Sequence, residues 1–184
     1  MGYVARKSGL WVPEELDHGR QEKIKMGGRF IGQIVRKGEV IDEFDVHNLV
    51  VNQGLNDNLN TYFNAGAQIT SWYMGIFQGN YTPVASDTAS SIASNSTECS
   101  SYTSSTRPAW SPAVPSGQSI TNSASRATFT FNASVTVYGG FLISNNTIGG
   151  TAGVLFAGAQ FGAAKSVVNL DQLLLTYTFA ASSV

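Results

Sequence analysis

Short runs in which apolar and polar residues alternate, separated by turn-forming residues, fill the chain from Trp72 to Phe179 and point to an antiparallel β-sheet protein. Ala127, Phe129 and Phe131 alternate with Thr128 and Thr130, as in a half-buried strand. Val135, Val137, Gly139, Phe141 and Ile143 mark one face of the next strand; Val154 to Ala157 reads as a short strand, and Leu173 to Phe179 alternates again. Ser71 to Phe77 is strongly apolar and too short for an ordinary helix, which makes it a candidate for the domain centre. Taking Trp72, Phe129, Val137, Leu155, Val167 and Leu175 as strand centres gives the spacing of a β-sandwich or jelly roll.

The first third reads differently. Residues 1–28 mix charges with Gly9, Pro13, Gly19, Gly27 and Gly28 and hold no steady period, so they are expected to form an extended N-terminal arm that orders against a partner. Residues 29–51 read as a β-hairpin with Lys37-Gly38 at its tip, followed by a strand; Val40, Phe44 and Val46 share one face and Asp42 interrupts it. In residues 52–63 the spacing of Leu55, Leu59 and Phe63 predicts a short helix capped by Asn52, its apolar stripe packed on the sheet. Residues 70–182 form the main body, interrupted by a Ser/Thr/Asn/Pro-rich stretch over 78–124. Within it Ala85 to Ala93 suggests a helical turn and Arg107-Pro108-Ala109-Trp110 a rigid, anchored segment. The expected fold is mainly β: an antiparallel β-sandwich or jelly roll over residues 29–184, with the arm, one hairpin and one short helix.

Charge narrows the function. The net charge is −1 and the pI about 6.1, so no global field gathers nucleic acid or an anionic membrane, and neither is expected as a partner. Residues 1–60 hold eight Lys/Arg and nine Asp/Glu, whereas residues 61–184 hold three of each. Surface polarity in the second part must come from Ser, Thr, Asn and Gln, which permits dense packing beside other proteins. Ten Phe, seven Tyr and three Trp supply a core without disulfides, and Cys99, the single cysteine, reads as a small buried hydrophobe. Met1 to Arg6 lack the apolar segment of a secretory signal, and no window holds eighteen uninterrupted apolar residues, so neither a leader nor a membrane span is expected.

Residues for catalysis are scarce. His18 lies in the arm and His47 follows the hairpin; Asp45-x-His47 would put two ligating side chains on one strand face, weak support for a metal. Asp87, Glu98 and Asp171 sit in turn-like surroundings, where turn formation is the expected role for two of the three. No phosphate-cradling loop, dinucleotide fingerprint or zinc spacing occurs, so no cofactor, metal or catalytic residue is expected. The candidate partner contacts are Trp11, Arg29 and Phe30 in the arm and hairpin, and Arg107, Trp110 and Tyr138 in the body, Arg and Trp being enriched at interface hot spots. The alternative for Trp110 and Arg107 is internal: the indole covers the core and the guanidinium stacks on it.

The runs Trp72-Tyr73-Met74-Gly75-Ile76-Phe77, Tyr81-Thr82-Pro83, Thr106-Arg107-Pro108-Ala109-Trp110 and Val137-Tyr138-Gly139-Gly140-Phe141-Leu142 resemble those of small structural proteins of tailed, especially short-tailed, bacteriophages. The likeness covers roughly residues 48–181, and Val46 to Leu55 is similar to the opening of such proteins. The resemblance implies a jelly-roll-like virion protein of the capsid decoration or cement type, assembled in the host cytoplasm. Its partners would be major capsid subunits and copies of itself, as a dimer or trimer. The charged arm departs from the shorter members. A collar, tail or fibre-base protein is the nearest rival. A carbohydrate-binding module stacking Trp72, Tyr81 and Trp110 on sugar rings is the second. An enzyme would need His47, Glu98 and Asp171 in one cleft.

Overall fold

The structure, a computed structural model, describes residues 3–5, 11–13 and 24–183. Tyr3–Ala5 (β1) and Trp11–Pro13 (β2) pair with each other antiparallel, and the remainder of the expected arm up to residue 23 lies outside the described residues. Ile24–Arg36 (β3) and Glu39–His47 (β4) form the hairpin, with Lys37 and Gly38 both at positive φ, 52° and 88°, as a two-residue turn of matching twist requires. The strand starts at Ile24, where the sequence suggested arm as far as residue 28. Gly27 and Gly28 looked like breakers, yet a Cβ on Gly28 would lie 2.4 Å from the Thr178 carbonyl oxygen, so glycine is what lets the sheet continue there.

Leu49–Val50 (β5) leads into the helix Asn52–Phe63 (α1). Then follow Trp72–Phe77 (β6), a second helix Ala89–Asn95 (α2), Ala109–Trp110 (β7), Ser119–Thr121 (β8), Ala127–Thr130 (β9), Val135–Ile143 (β10), Leu155–Val167 (β11) and Gln172–Ser183 (β12). Among the described residues two helices are present where one was expected, α2 falling in the stretch suggested as a helical turn; the Ser91 hydroxyl accepts the Thr88 N–H at 3.0 Å at its start. Val154 to Ala157 and Val167, read as separate strands, belong to the one strand β11. A bulge hides this: Tyr138 alone stands opposite residues 161–164 of β11, and the Gly-Ala-rich sequence there has little β propensity of its own.

One antiparallel sheet runs β5-β11-β10-β6-β7, the other β4-β3-β12-β8 with β9 also on β12. Their inner faces meet: Phe30, Ile34, Phe129, Leu173, Leu175 and Tyr177 pack against Met74, Ile76, Leu142, Ala157 and Phe161 in one buried cluster. This is the expected mainly-β antiparallel sandwich; the strand order does not confirm the jelly-roll variant. On the outer face of the first sheet Phe77, Phe141, Ile143 and Leu155 form a smaller cluster roofed by Ala89 and Ile92 of α2. β6 is central in burial, as its sequence suggested.

Glycine and phenylalanine alternate across β6 and β10 with a purpose. Gly75 pairs with Phe141 and Phe77 with Gly139, so each ring crosses a partner strand where no side chain stands. A Cβ on Gly75 would lie 2.1 Å from the Phe141 ring, and one on Gly139 would lie 2.0 Å from the Phe77 ring and 2.3 Å from the Ala159 carbonyl oxygen. Gly32 relates to Phe44 in the same way in the hairpin. There a bulge at Ile41 puts Asp42, Phe44 and Val46 on the half-buried face and leaves Val40 exposed, so Val40 is not on the shared face predicted for it. Asp42 is an ion-pair partner on that face: the Lys165 ammonium donates to it at 2.9 Å while lying 5.1 Å from the Phe44 ring centre.

Asp171 closes the turn into β12. It accepts the Val168 N–H at 2.8 Å and a two-pronged contact from Arg36 at 2.9 and 2.7 Å. Asp87 does the same for the Val84 N–H at 2.8 Å, so two of the three late carboxylates are turn formers, as expected.

Gly139→Ala is expected to destabilise the protein by about 3 kcal/mol, because the new methyl meets backbone as well as a ring, whereas Gly27→Ala, which meets nothing within 4 Å, should cost little of that kind; urea denaturation of both checks this. The hydrogen bond from Arg36 holds the Asp171 carboxyl below its ordinary range. Its stabilisation is therefore complete above about pH 4 and is lost as pH falls through the lowered value. Thermal melts of Asp171→Asn against the parent should show a deficit at pH 7 that shrinks in acid.

Candidate interaction surface

Helix α1 is mounted the opposite way from what its apolar stripe suggested. Val51 is buried ahead of it, and Gly54 seats it so closely on β11 that a Cβ would come within 2.6 Å of the Phe156 carbonyl oxygen. The Gln53 amide oxygen fixes its start by accepting the Ala89 and Leu155 N–H groups at 2.9 and 2.8 Å. Val51 occupies the cap position with no side-chain hydrogen bond, so Asn52 is the first helical residue and not the cap predicted for it. With Gly54 inward, Asp57, Asn58 and Thr61 follow on the half-buried side, and desolvation raises the pKa of Asp57 above the ordinary value.

Of the stripe expected to pack on the sheet only Leu55 does so, half-buried against the core; Leu59 is 57% exposed, Tyr62 80% and Phe63 84%. They line one apolar groove with Ile24, 73% exposed, and Met26 from the start of β3. Tyr62 borders a second hollow whose lining is mostly polar, Asp57, Asn58, Thr61 and Gln68 beside Ile69 and Trp72, and Trp72 borders a third with Trp110 and Ile120. An exposed apolar groove like the first marks a site of association on a folded surface. The second open feature is β4, the outermost strand of its sheet, whose outer edge pairs with no strand among the described residues.

The sequence-predicted contacts fall on both sides of the surface. Trp11 stands opposite Ala5 in the β1–β2 pairing, and its side chain lies outside the described residues. Arg29 is exposed and grips Asp45 with two nitrogens at 2.8 and 2.5 Å. Phe30 is fully buried, its ring centre 4.8 Å from that of Tyr177, and so is a core residue instead of a contact. Arg107 is also interior, 1% exposed: Nε and Nη2 donate to Glu98 at 2.7 Å each, Nη1 to the Asn145 carbonyl at 2.8 Å, and the guanidinium lies 5.3 Å from the Phe141 ring centre. It clamps the 78–124 stretch to the body, so Arg107 is an internal anchor and not the partner contact expected of it.

Trp110 is half-buried, its indole N–H donating to the Tyr177 carbonyl at 3.1 Å, with part of its surface in the hollow it shares with Trp72 and Ile120. Tyr138 is half-buried against the α2-side cluster. The outward mounting of α1, and with it Leu59, Tyr62 and Phe63 as surface residues, was missed. Leu55, Leu59 and Phe63 were legible as a stripe, but only the absent side chain of Gly54 says which way it turns.

The fold does not gather the titratable groups. Asp171 is engaged by Arg36, Glu98 by Arg107, and His47 stands exposed at the far end of β4 opposite Arg29. Among the described residues no group of three His, Cys, Asp or Glu side chains is placed to hold a metal ion, and no helix is long and apolar enough to cross a membrane. Cys99 is buried, and burial raises its thiol pKa. The rings that would stack on sugar are half-buried: Trp72 meets Phe156 edge-on at 5.5 Å and Trp110 meets Tyr177 at 5.9 Å, both also lining a surface hollow, while the Tyr81 hydroxyl donates to Asp87.

Arg107→Ala leaves the Glu98 carboxylate, whose side chain is 3% exposed, without its cation, and is expected to cost about 3–5 kcal/mol. Removing Glu98 as well should recover part of that loss, a coupling that a double-mutant cycle in urea measures and that an interface role for Arg107 would not produce.

A scan against protein-family models matches none to this chain, and no curated protein matches it in sequence.

Proposed function

We propose that the chain is a non-enzymatic structural protein of a virion that binds the major capsid shell from outside and stabilises it, as a decoration or cement protein does. The observation that carries the reading is the exposed apolar groove of Ile24, Met26, Leu59, Tyr62 and Phe63, which a protein acting alone has no reason to keep open to water. The resemblance of the β6, β7 and β10 sequences to short-tailed phage structural proteins supplies the setting. The outer edge of β4, which pairs with no strand among the described residues, adds a second means of attachment, since a neighbour's strand can extend the sheet there by main-chain hydrogen bonds.

Contacts of modest strength suffice in such a role, because each copy is held by several neighbours at once and binding to the assembled shell stabilises that state by mass action. A position at the collar, tail or fibre base would use the same surfaces and differ in copy number. Electron cryomicroscopy of particles from a phage encoding the protein decides between them. The expected result is many copies spread over the shell, each bridging capsid subunits. A few copies confined to one vertex would move the protein to the collar or tail, and absence from particles would overturn the virion reading.

A further inference from the structure

The groove on α1 carries a statement about its occupant. Among the described residues its lining holds no charged side chain: Ile24, Met26, Leu55, Leu59, Tyr62 and Phe63 are joined only by the amide of Asn58. Asp57, the one ionisable residue of α1 besides Tyr62, lies toward the half-buried side, and the helix has no acidic residue in its first turn and no basic one in its last. A charged partner surface would lose its water here and gain no counter-ion, so the occupant must be equally neutral and apolar.

The same face on another copy meets that condition. Leu55 and Phe63 lie four residues to either side of Leu59, so two α1 helices crossing antiparallel set Leu59 against Leu59 and Leu55 against Phe63. Large apolar side chains bury on the order of 150–250 Å² each when covered. The exposed fractions of the five leading residues then offer about 600 Å² per copy, so a two-fold pairing removes about 1,200 Å² in total, the lower end of stable interfaces.

We infer that the outward apolar face of α1, with Ile24 and Met26, is where two copies of this chain pair about a two-fold axis. The inference rests on the subunit-binding reading of this groove and names its occupant, leaving the β4 edge to the shell.

Sedimentation of the full-length chain over a range of concentrations tests it. A dimer is expected, and Leu59→Arg and Phe63→Arg should each weaken it by at least about 30-fold. Val114→Arg, at an 88% exposed apolar residue outside the groove, should not. Because Leu59 and Phe63 are exposed, the circular dichroism spectra of the variants should match the parent, which separates lost pairing from lost folding. Leu59→Cys should in addition crosslink two chains under mild oxidation, Cys99 being buried, whereas Asn60→Cys should not. A monomer at every concentration, a trimer, or a dimer indifferent to Arg at 59 and 63 would overturn the pairing. In those cases shell binding tells the two ideas apart: if Phe63→Arg abolishes it, the groove belongs to a capsid subunit and the subunit-binding reading stands. If neither pairing nor shell binding responds, both fall.

Discussion

Phe77 and Phe141 occupy space on the facing strand that a side chain would otherwise fill, and the β6–β10 register depends on Gly139 and Gly75 standing opposite them. A slip of one residue would turn every side chain to the other face and set the Phe141 ring against Ile76 or Met74 instead of Gly75. With the register fixed, the two rings make the floor on which Ala89 and Ile92 of α2 rest, and Phe141 also lies beneath the Arg107 guanidinium. Arg107 in turn holds Glu98, nine residues behind it, and the carbonyl of Asn145 beyond β10. The long stretch between β6 and β9 is therefore ordered from the sheet outward, and its order comes from two glycines that contribute no side chain.

The few ions of the second part of the chain serve the interior or the turns. Arg107 is bound to Glu98, Lys165 to Asp42, Asp171 to Arg36 and Asp87 to the Tyr81 hydroxyl and the Val84 N–H, while Arg126 donates to Gln33. Two of these pairs reach back to the hairpin, so charges from the ion-rich first part neutralise those of the ion-poor second part. Composition alone showed how few charges there were; the fold shows that four of the six charged side chains are cancelled by opposite charges, while Asp87 and Arg126 meet neutral partners. Where the second part of the chain makes the surface, association is governed by shape and apolar contact more than by field.

Much of this was legible where the period of the sequence is two. The alternation at Ala127 to Thr130 and Leu173 to Phe179 identified strands, Lys37-Gly38 identified the hairpin tip, and the aromatic run from Trp72 identified a central strand. What could not be read depended on glycine or on distant partners. Gly158 and Gly162 with their alanines disguised β11 as two short pieces, and Gly28 disguised the first residues of β3 as arm. Arg107 was recognisable as unusual beside Pro108 and Trp110. Its direction depended on Glu98, and no local pattern shows that the intervening chain returns to bring the two together. The stripe on α1 was read correctly as a stripe and assigned to the wrong side, because burial of one face is decided by what the helix rests on and here that is a backbone contact at Gly54.

The two open features of the surface differ in kind. β4 presents Glu39, Glu43 and Asp45 as exposed residues along an edge that pairs with no strand among the described residues, and charges so placed keep an edge strand from pairing indiscriminately. Any strand that adds there must accommodate those carboxylates, so the edge is selective by electrostatics. The groove on α1 has no charge with which to select, and its discrimination must come from the fit of Leu59, Tyr62 and Phe63 to a matching apolar face. A protein with one surface of each sort can hold two different neighbours without either competing for the other's site, which is the requirement placed on any subunit that must join its own copies and a shell at once.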